Sequence, residues 1–263
     1  MLYINNDKLK KMKLNTNNFY VVIDFDRTLT SNSSMGSWAV LENEKVFSKD
    51  LINDSKKLIE KYYPYELDYS LDFKTKEKYM DEWFNKNMNL FYKYGLTHEI
   101  LLKCVKDSGL EFRKNAKEFL KFLYDSNIPV IIMSAGIGNV IEEYLKINGC
   151  YYDNIYIISN FIKFENNLMQ KFSDRMIHSL NKRIENLPNE FERLLSKKDY
   201  IVLIGDLIED ISMVKKEDLP KTLTIGILEA KLKENLEFYN KSFDIVFTDN
   251  VSFNEIKNII LKD

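Results

Sequence analysis

An α/β fold with a parallel sheet is what this sequence of 263 residues predicts. Three observations carry the prediction. Short apolar, β-branched runs recur at residues 20–23, 129–133, 155–159, 200–204, 222–227 and 243–247. From residue 128 onward they alternate with helical patterns, the signature of βαβ units. The first run delivers two carboxylates, Asp24 and Asp26, at the strand end where open α/β sheets bind ligands.

The first run reads as a strand buried on both faces, because it is continuously apolar rather than alternating. About a hundred residues separate it from the second run. A crossover needs only about a dozen residues, so this interval must hold structure of its own, and its patterns are helical. Residues 45–62 carry Val46, Leu51, Leu58 and Ile59, and 74–94 carry Tyr79, Met80, Trp83, Phe84, Met88 and Phe91. Gly95 suits the stop of the second helix, and Thr97 suits the N-cap of a third over 98–107. Residues 36–109 are therefore expected to form an inserted helical unit, with 1–35 and 110–263 forming the core. Further on, 139–148 and 253–261 read as helices. Residues 164–168 read as a hairpin tip, since Asn tolerates left-handed conformations. The charged stretch 186–198 reads as a solvated helix or connector.

Hydrophobic residues make up 45% of the chain and charged residues 30%, enough to bury a core. The 38 basic and 40 acidic side chains nearly cancel, which leaves no electrostatic footprint for nucleic acid or a membrane surface. Segment 1–18 is polar and lacks the apolar stretch of a signal peptide. No run reaches the roughly 18 apolar residues of a membrane span. Cys104 and Cys150 fit neither a disulfide framework nor a metal-ligand spacing and read as buried small hydrophobes. The expectation is a reduced, cytoplasmic protein with no nucleic-acid or membrane partner and no feature that demands an oligomer.

Hydrolysis of a phosphate monoester needs a nucleophile, an acid for the leaving oxygen, a divalent cation and donors for the phosphoryl oxygens. The chain offers a candidate for each. Asp24 can attack phosphorus and form an aspartyl-phosphate. Asp26, two residues on, can stand beside the leaving oxygen as acid and then base, with its backbone carbonyl facing a metal. Thr28 follows. Ser134, Ala135 and Gly136 come after the second strand, where a hydroxyl and backbone N–H groups can receive an anion; the same tripeptide is also an ordinary turn. Lys182 can hold nucleophile and phosphoryl group together as a point charge, or lie solvated as most lysines do. Asp206 and Asp210 follow the strand at 200–204, spaced to share one helix face, though acids also serve there as ordinary caps. With Asp24 and Asp26 they make a set of hard oxygens suited to Mg²⁺.

Acid pair, Ser, Lys, acid pair, each after an apolar strand, is the order of the four motifs of the haloacid dehalogenase (HAD) superfamily, whose first motif resembles Asp24-Phe-Asp-Arg-Thr28. Within it the chain resembles the cytosolic 5′-nucleotidase III, or pyrimidine 5′-nucleotidase, family over nearly its whole length. The runs that carry this are Ser134-Ala-Gly-Ile-Gly-Asn-Val-Ile-Glu-Glu143 and Ile177-His-Ser-Leu-Asn-Lys182, with Ser159-Asn-Phe161 and Phe243-Asp-Ile-Val246. In the insertion, Lys61-Tyr-Tyr-Pro-Tyr-Glu66 and Glu77-Lys-Tyr-Met-Asp-Glu-Trp83 fall at the family's spacing.

The resemblance implies a HAD-like Rossmannoid parallel-sheet core with residues 36–109 as an inserted helical type-1 cap. It implies Mg²⁺-dependent hydrolysis of nucleoside 5′-monophosphates, UMP and CMP foremost, through an aspartyl-phosphate. It makes Asp24 the nucleophile and Asp26 the proton donor, and makes Asp24, Asp26 and Asp206 the metal ligands. Ser134, Ala135 and Lys182 would contact phosphate, Asp210 would support the metal shell, and Glu66 and Asn87 would lie in the nucleotide site. Departures stand at Arg27, Asn87, Asn139 and Leu207, where the family has an apolar residue, a serine, an aspartate and a small polar residue. Asn87 bears on base preference, and Leu207 on the metal's surroundings. Trp83 either walls a base pocket by stacking or belongs to a core. Two rivals remain. One is a HAD phosphatase for another small monoester such as phosphoserine, against which the stretch 66–87 speaks. The other is a nucleotide-binding regulator without turnover, against which the four intact motifs speak. Transfer of the phosphoryl group to a second nucleoside is a further possible outcome of the same intermediate.

Overall fold

The computed structural model describes residues 2–4, 6–68, 70–172, 174–184, 187–229, 232–248 and 250–261. In chain order these form β1 (Leu2–Ile4), α1 (Asn6–Lys11), β2 (Phe19–Ile23), α2 (Lys49–Leu67), α3 (Phe73–Lys93), α4 (His98–Lys106), α5 (Ala116–Asp125), β3 (Val130–Ile137), α6 (Gly138–Ile147) and β4 (Ile155–Asn160). There follow β5 (Phe164–Glu165), β6 (Leu168–Met169), α7 (Asn189–Leu195), β7 (Tyr200–Gly205), β8 (Thr222–Ile227), α8 (Leu232–Ser242), β9 (Ile245–Phe247) and α9 (Phe253–Ile260).

The main sheet has the order β1-β9-β8-β7-β2-β3-β4, parallel throughout except for β1, which pairs antiparallel with β9. β2 is the strand from which the chain departs to β3 on one side and later returns to β7 on the other. That is the switch point at which such sheets open a crevice for ligands. Every residue of β2 is buried, and alternation splits the strand between two cores. Val21 and Ile23 face one hydrophobic cluster with Val130, Ile132, Val202 and Ile204. Tyr20 and Val22 face another with Ile131, Met133, Ile201 and Leu203.

Helices α2, α3 and α4 fill the interval between β2 and β3. Their apolar residues divide in two. Leu51, Met88, Phe91, Leu101 and Cys104 join the cluster that holds Val21, so the insertion's base is continuous with the core. Tyr62, Met80 and Trp83 form a small cluster of their own. Thr97 caps α4 by accepting the Ile100 N–H, as expected, and Gly95 adopts φ +72° after α3. Both cysteines are free and buried. The hairpin tip is also as read, with Asn166 and Asn167 at φ 47° and 70° between β5 and β6.

Several boundaries differ from expectation. α2 starts only after Ser48, whose side chain accepts the Asp50 N–H, and runs through Pro64 to Leu67. Pro64 lies in the last turn, where it cannot donate to the carbonyl four residues back, and the helix ends three residues later. The run 243–247 shortens to β9, because Asp244 uses its carboxylate to take the N–H and hydroxyl of Thr224. β3 continues past Met133 to Ile137 with a register shift against β4, so Ser134–Gly136 lie on the strand's end rather than at a helix N-terminus. Asp210 lies in a 3₁₀ turn, Ile208–Met213. Of the stretch 186–198, residue 186 lies outside the described residues, and α7 occupies Asn189–Leu195. Among the described residues, no helix is long and apolar enough to cross a membrane.

Candidate active site

Three neighbouring strands, β7, β2 and β3, converge on one spot at their C-terminal ends. Asp24 is still in the ladder, its N–H donating to Ile204 O at 3.0 Å. Lys182, in the turn 178–182, donates from Nζ to Asp24 Oδ1 at 2.5 Å and to Asp210 Oδ1 at 2.9 Å. All three side chains are almost fully buried, so Lys182 is no solvated surface lysine. A buried ammonium is tolerable only with partners of this kind. Asp210 is fixed in turn by the Leu207 N–H, which donates to Oδ2 at 3.0 Å. Gly205 makes the approach possible, since a Cβ there would fall 2.4 Å from Asp210 Oδ2.

Asp24, Asp206 and Asp210 each bring a carboxylate oxygen within 4.8 Å of the others. Thr28 Oγ1 lies 3.5 Å from Asp206 Oδ1, a weak contact at best. Burial pushes the Asp24 carboxyl up to about 7, with Asp210 and Asp26 adding to the effect and Lys182 opposing it. Burial and the charges of Asp24 and Asp210 push Asp206 well above the carboxylate range. One ammonium thus faces three acids, Asp24 and Asp210 buried and Asp206 partly so, a shortfall of positive charge with an all-oxygen donor set. A hard divalent cation fits those donors. The Asp26 carboxylate is not part of this cluster: the Ser37 N–H and hydroxyl occupy its two oxygens.

The loop after β2 is held in an unfavourable conformation. Arg27 has φ +62°, a left-handed backbone that persists only when its surroundings over-determine it. The Arg27 N–H donates to Thr30 Oγ1 at 2.7 Å. The buried Arg113 guanidinium donates to the carbonyls of Arg27 and Thr28 at 2.6 and 2.9 Å. Glu229 holds that guanidinium with both carboxylate oxygens, at 2.8 and 3.1 Å.

On the β3 side, Ser134 Oγ accepts the Gly136 N–H at 2.9 Å. The Ala135 carbonyl takes the indole N–H of Trp38 and an amide N–H of Asn160, both at 2.9 Å. A Cβ on Gly136 would lie 1.8 Å from Ser37 Oγ. Ser37, Trp38, Arg113, Asn160 and Glu229 were not among the expected site residues; of these only Asn160 lies in a run singled out from the sequence, Ser159-Asn-Phe161. Two departures also find places: Asn139 ties α6 to Ile162 with bonds of 2.7 and 3.1 Å, and Arg27 is exposed.

From the insertion, Glu66 reaches the core, where Ser179 Oγ lies 3.4 Å from its Oε1. Burial raises the Glu66 carboxyl, against the opposing hydrogen bond from Ser179. Trp83 is core to the insertion, its ring stacked on Tyr62 at 6.3 Å. Trp83 Nε1 and Asn87 Oδ1, one helical turn apart on α3, are buried without a hydrogen-bond partner among the described residues. A cavity of about 110 Å³, lined by Arg27, Asn32, Asp206, Leu207 and Tyr239 among others, opens on the Asp206 side of the cluster.

The family model described as pyrimidine 5′-nucleotidase (UMPH-1) matches residues 8–262. The chain is 32% identical over 248 residues to the 7-methylguanosine phosphate-specific 5′-nucleotidase of Homo sapiens, covering 91% of this chain and 83% of that one. It is 30% identical over 248 residues to the A form of that enzyme from Xenopus laevis, covering 91% and 86%. Among solved structures, cytosolic 5′-nucleotidase IIIB bound to cytidine superposes with a TM-score of 0.80 at 25% identity, covering 98% of this chain and 92% of that one. Phosphoserine phosphatase in its apo form gives a TM-score of 0.56 at 16% identity, covering 92% and 98%, a likeness of fold alone. These matches bear out the HAD-like α/β fold expected from the order of the motifs.

Proposed function

The chain belongs to the pyrimidine 5′-nucleotidase family, and on that premise we propose that it hydrolyses nucleoside 5′-monophosphates through an aspartyl-phosphate on Asp24. The observation that carries the proposal is the buried bridge of Lys182 between Asp24 and Asp210, beside a third carboxylate at the sheet's switch point.

A carboxylate oxygen of Asp24 attacks phosphorus, and the bond from phosphorus to the 5′-oxygen breaks. Asp26 gives its proton to that leaving oxygen. In the second step Asp26 takes a proton from water, whose oxygen attacks the same phosphorus, freeing Asp24 and inorganic phosphate. Burial favours the protonated form of Asp26, against the hydrogen bonds from Ser37, which suits an acid waiting for a leaving group. Lys182 holds the reactive carboxylate in place and opposes its protonation. In this reading Ser134 and Ala135, at the end of β3 next to β2, receive the phosphoryl oxygens. Mg²⁺ held by Asp24, Asp206 and Asp210, with the backbone carbonyl of Asp26, would supply positive charge to those oxygens.

Residues 36–109 act as the cap in this reading, excluding water from Asp24 during the first step. Glu66 and Asn87 contact the nucleoside. An unsatisfied buried polar atom costs about 1–3 kcal/mol, and the unpartnered Oδ1 of Asn87 finds its donor in the bound nucleoside. The structural relative bound to cytidine supports pyrimidine substrates. Relatives named for 7-methylguanosine phosphate favour a second reading, in which that nucleotide is the preferred one. The proposal includes a cytosolic setting and no nucleic-acid or membrane partner.

The test is phosphate release from CMP, UMP, 7-methyl-GMP, AMP and O-phosphoserine, with Mg²⁺ and with EDTA, in the wild type and Asp24→Asn. Mg²⁺-dependent release from a nucleotide, lost in Asp24→Asn by a factor on the order of 10⁶, is expected. Release from phosphoserine alone, or an Asp24→Asn variant as active as wild type, overturns the proposal.

A further inference from the structure

We propose that the five-residue turn carrying Lys182 is the element through which the cap positions that lysine, with His178 and Asp81 as positioning residues. This rests on the reading of α2 and α3 as part of a cap.

The turn is a small rigid body. Asn181 Oδ1 accepts the His178 N–H at 2.7 Å, the Asn181 N–H donates to His178 O at 3.1 Å, and Asn181 Nδ2 donates to Met176 O at 2.9 Å. At its far end, Lys182 O accepts from Ser212 Oγ at 3.1 Å while Nζ sits between Asp24 and Asp210.

Three of its other side chains face the insertion. His178 is fully buried; its Nε2 lies 3.2 Å from Asp81 Oδ1 on α3, and its ring lies 5.9 Å from Phe84 on the same helix. Leu180 packs on the cluster of Tyr62, Met80 and Trp83. Ser179 reaches Glu66 of α2. One short turn therefore carries the amine that holds the nucleophile and three side chains that lean on the two long helices of the cap.

The hydrogen bonds also assign the histidine's proton. The Leu180 N–H points at His178 Nδ1 from 3.3 Å, so Nδ1 is the acceptor and the proton lies on Nε2, donated to Asp81. Glu77 and Asp81 on α3 and Arg175 ahead of the turn are the charged groups that face this ring. A directional bond from an uncharged imidazole transmits position without the ring changing its charge. When α3 moves away, His178 loses its partner, the turn is free to rotate, and Nζ leaves the geometry that holds Asp24. The amine is then correctly placed only under a closed cap.

The experiment uses the full chain labelled with ¹⁵N-lysine. The Lys182 ammonium signal, buried and hydrogen-bonded, is identified by its loss in Lys182→Arg. Asp81 is partly exposed, so its variants are expected to fold, and thermal melts check this. Asp81→Ala is expected to shift or broaden the Lys182 signal although the two residues do not touch, whereas Asp81→Asn, which still accepts from His178 Nε2, restores it. With p-nitrophenyl phosphate, which has no base for the cap to grip, kcat of Asp81→Ala falls about 10–100-fold, the usual loss when an orienting partner is removed, and Asp81→Asn recovers most of it. An unchanged Lys182 signal in Asp81→Ala overturns the proposal, as does a defect confined to the KM of nucleotides. The signal reports the coupling whether or not the protein turns over nucleotides, so failure of the nucleotidase reading is distinguishable from failure of this one.

Discussion

Ser37 holds both oxygens of Asp26: its N–H donates to Oδ1 at 2.8 Å and its hydroxyl to Oδ2 at 2.7 Å. A hydroxyl can donate or accept, so the same contact survives when Asp26 is protonated at Oδ2, with Ser37 Oγ then accepting the hydrogen bond from that O–H. Ser37 is wholly buried and lies against Gly136, so this clamp joins the loop after β2 to the end of β3.

Ser37→Ala is expected to lower kcat for a nucleotide by roughly 10–100-fold, the equivalent of one hydrogen bond to a charged group. With p-nitrophenyl phosphate, whose leaving group needs little help from an acid, the loss should nearly vanish. Equal losses on both substrates in steady-state assays would show that Ser37 does not act through the proton of Asp26.

The stability of the metal-free protein should fall as pH rises from about 4 to about 7, the window between the ordinary value of Asp24 and its raised one. In that window the folded protein holds more protons than the unfolded chain, so the slope of stability against pH is negative for this group. A divalent cation needs the ionised carboxylates and displaces those protons. The rise in Tm on adding Mg²⁺ is therefore expected to be small near pH 5 and larger near pH 8. Melts with and without EDTA across this range measure it, and an increment that is constant or shrinks with pH contradicts the assignment.

Arg113→Met leaves Glu229 and two loop carbonyls without their donor. Removing one partner of a buried ion pair costs about 3–5 kcal/mol, visible in urea unfolding. Adding Glu229→Leu is expected to return much of that stability without returning activity, because the Arg27 and Thr28 carbonyls remain unheld. Full recovery of kcat in the double variant would mean that the loop keeps its shape without Arg113.

Glu66→Ala is expected to raise the KM of nucleotides about tenfold, the scale of one lost polar contact, with kcat for p-nitrophenyl phosphate unchanged. Asn87→Ser should alter the ratio of kcat/KM between CMP and 7-methyl-GMP more than it alters either kcat. If both variants leave nucleotide kinetics untouched, the nucleoside is held elsewhere.

How much of this was legible in the chain follows from the range of the interactions. The strand 19–23 and its carboxylate pair could be read because an apolar run and its abrupt polar end are local features. So could the α4 cap at Thr97 and the Asn-Asn hairpin tip. Lys182 was legible only through its place in the order of motifs; as a residue it resembles any surface lysine until its turn packs between two carboxylates. The strand's continuation through Ser134–Gly136 was not legible, because it depends on pairing with β4.

Local pattern and motif order thus sufficed to name the sheet, the helices and the acids. Which acid faces which partner was decided by packing alone. The Asp26 carboxylate was expected beside the leaving oxygen, and packing supplies its partner, Ser37, which no local pattern announces. Asp210 was expected near the other acids, and packing adds that it shares Lys182 with Asp24. Arg113 reaches Thr28 across 85 positions and Glu229 across 116. Periodicity reports on which side of an element a residue lies, but a hydrogen bond forms only once two elements have been brought within about 3 Å of each other, and no neighbour in the chain records that meeting.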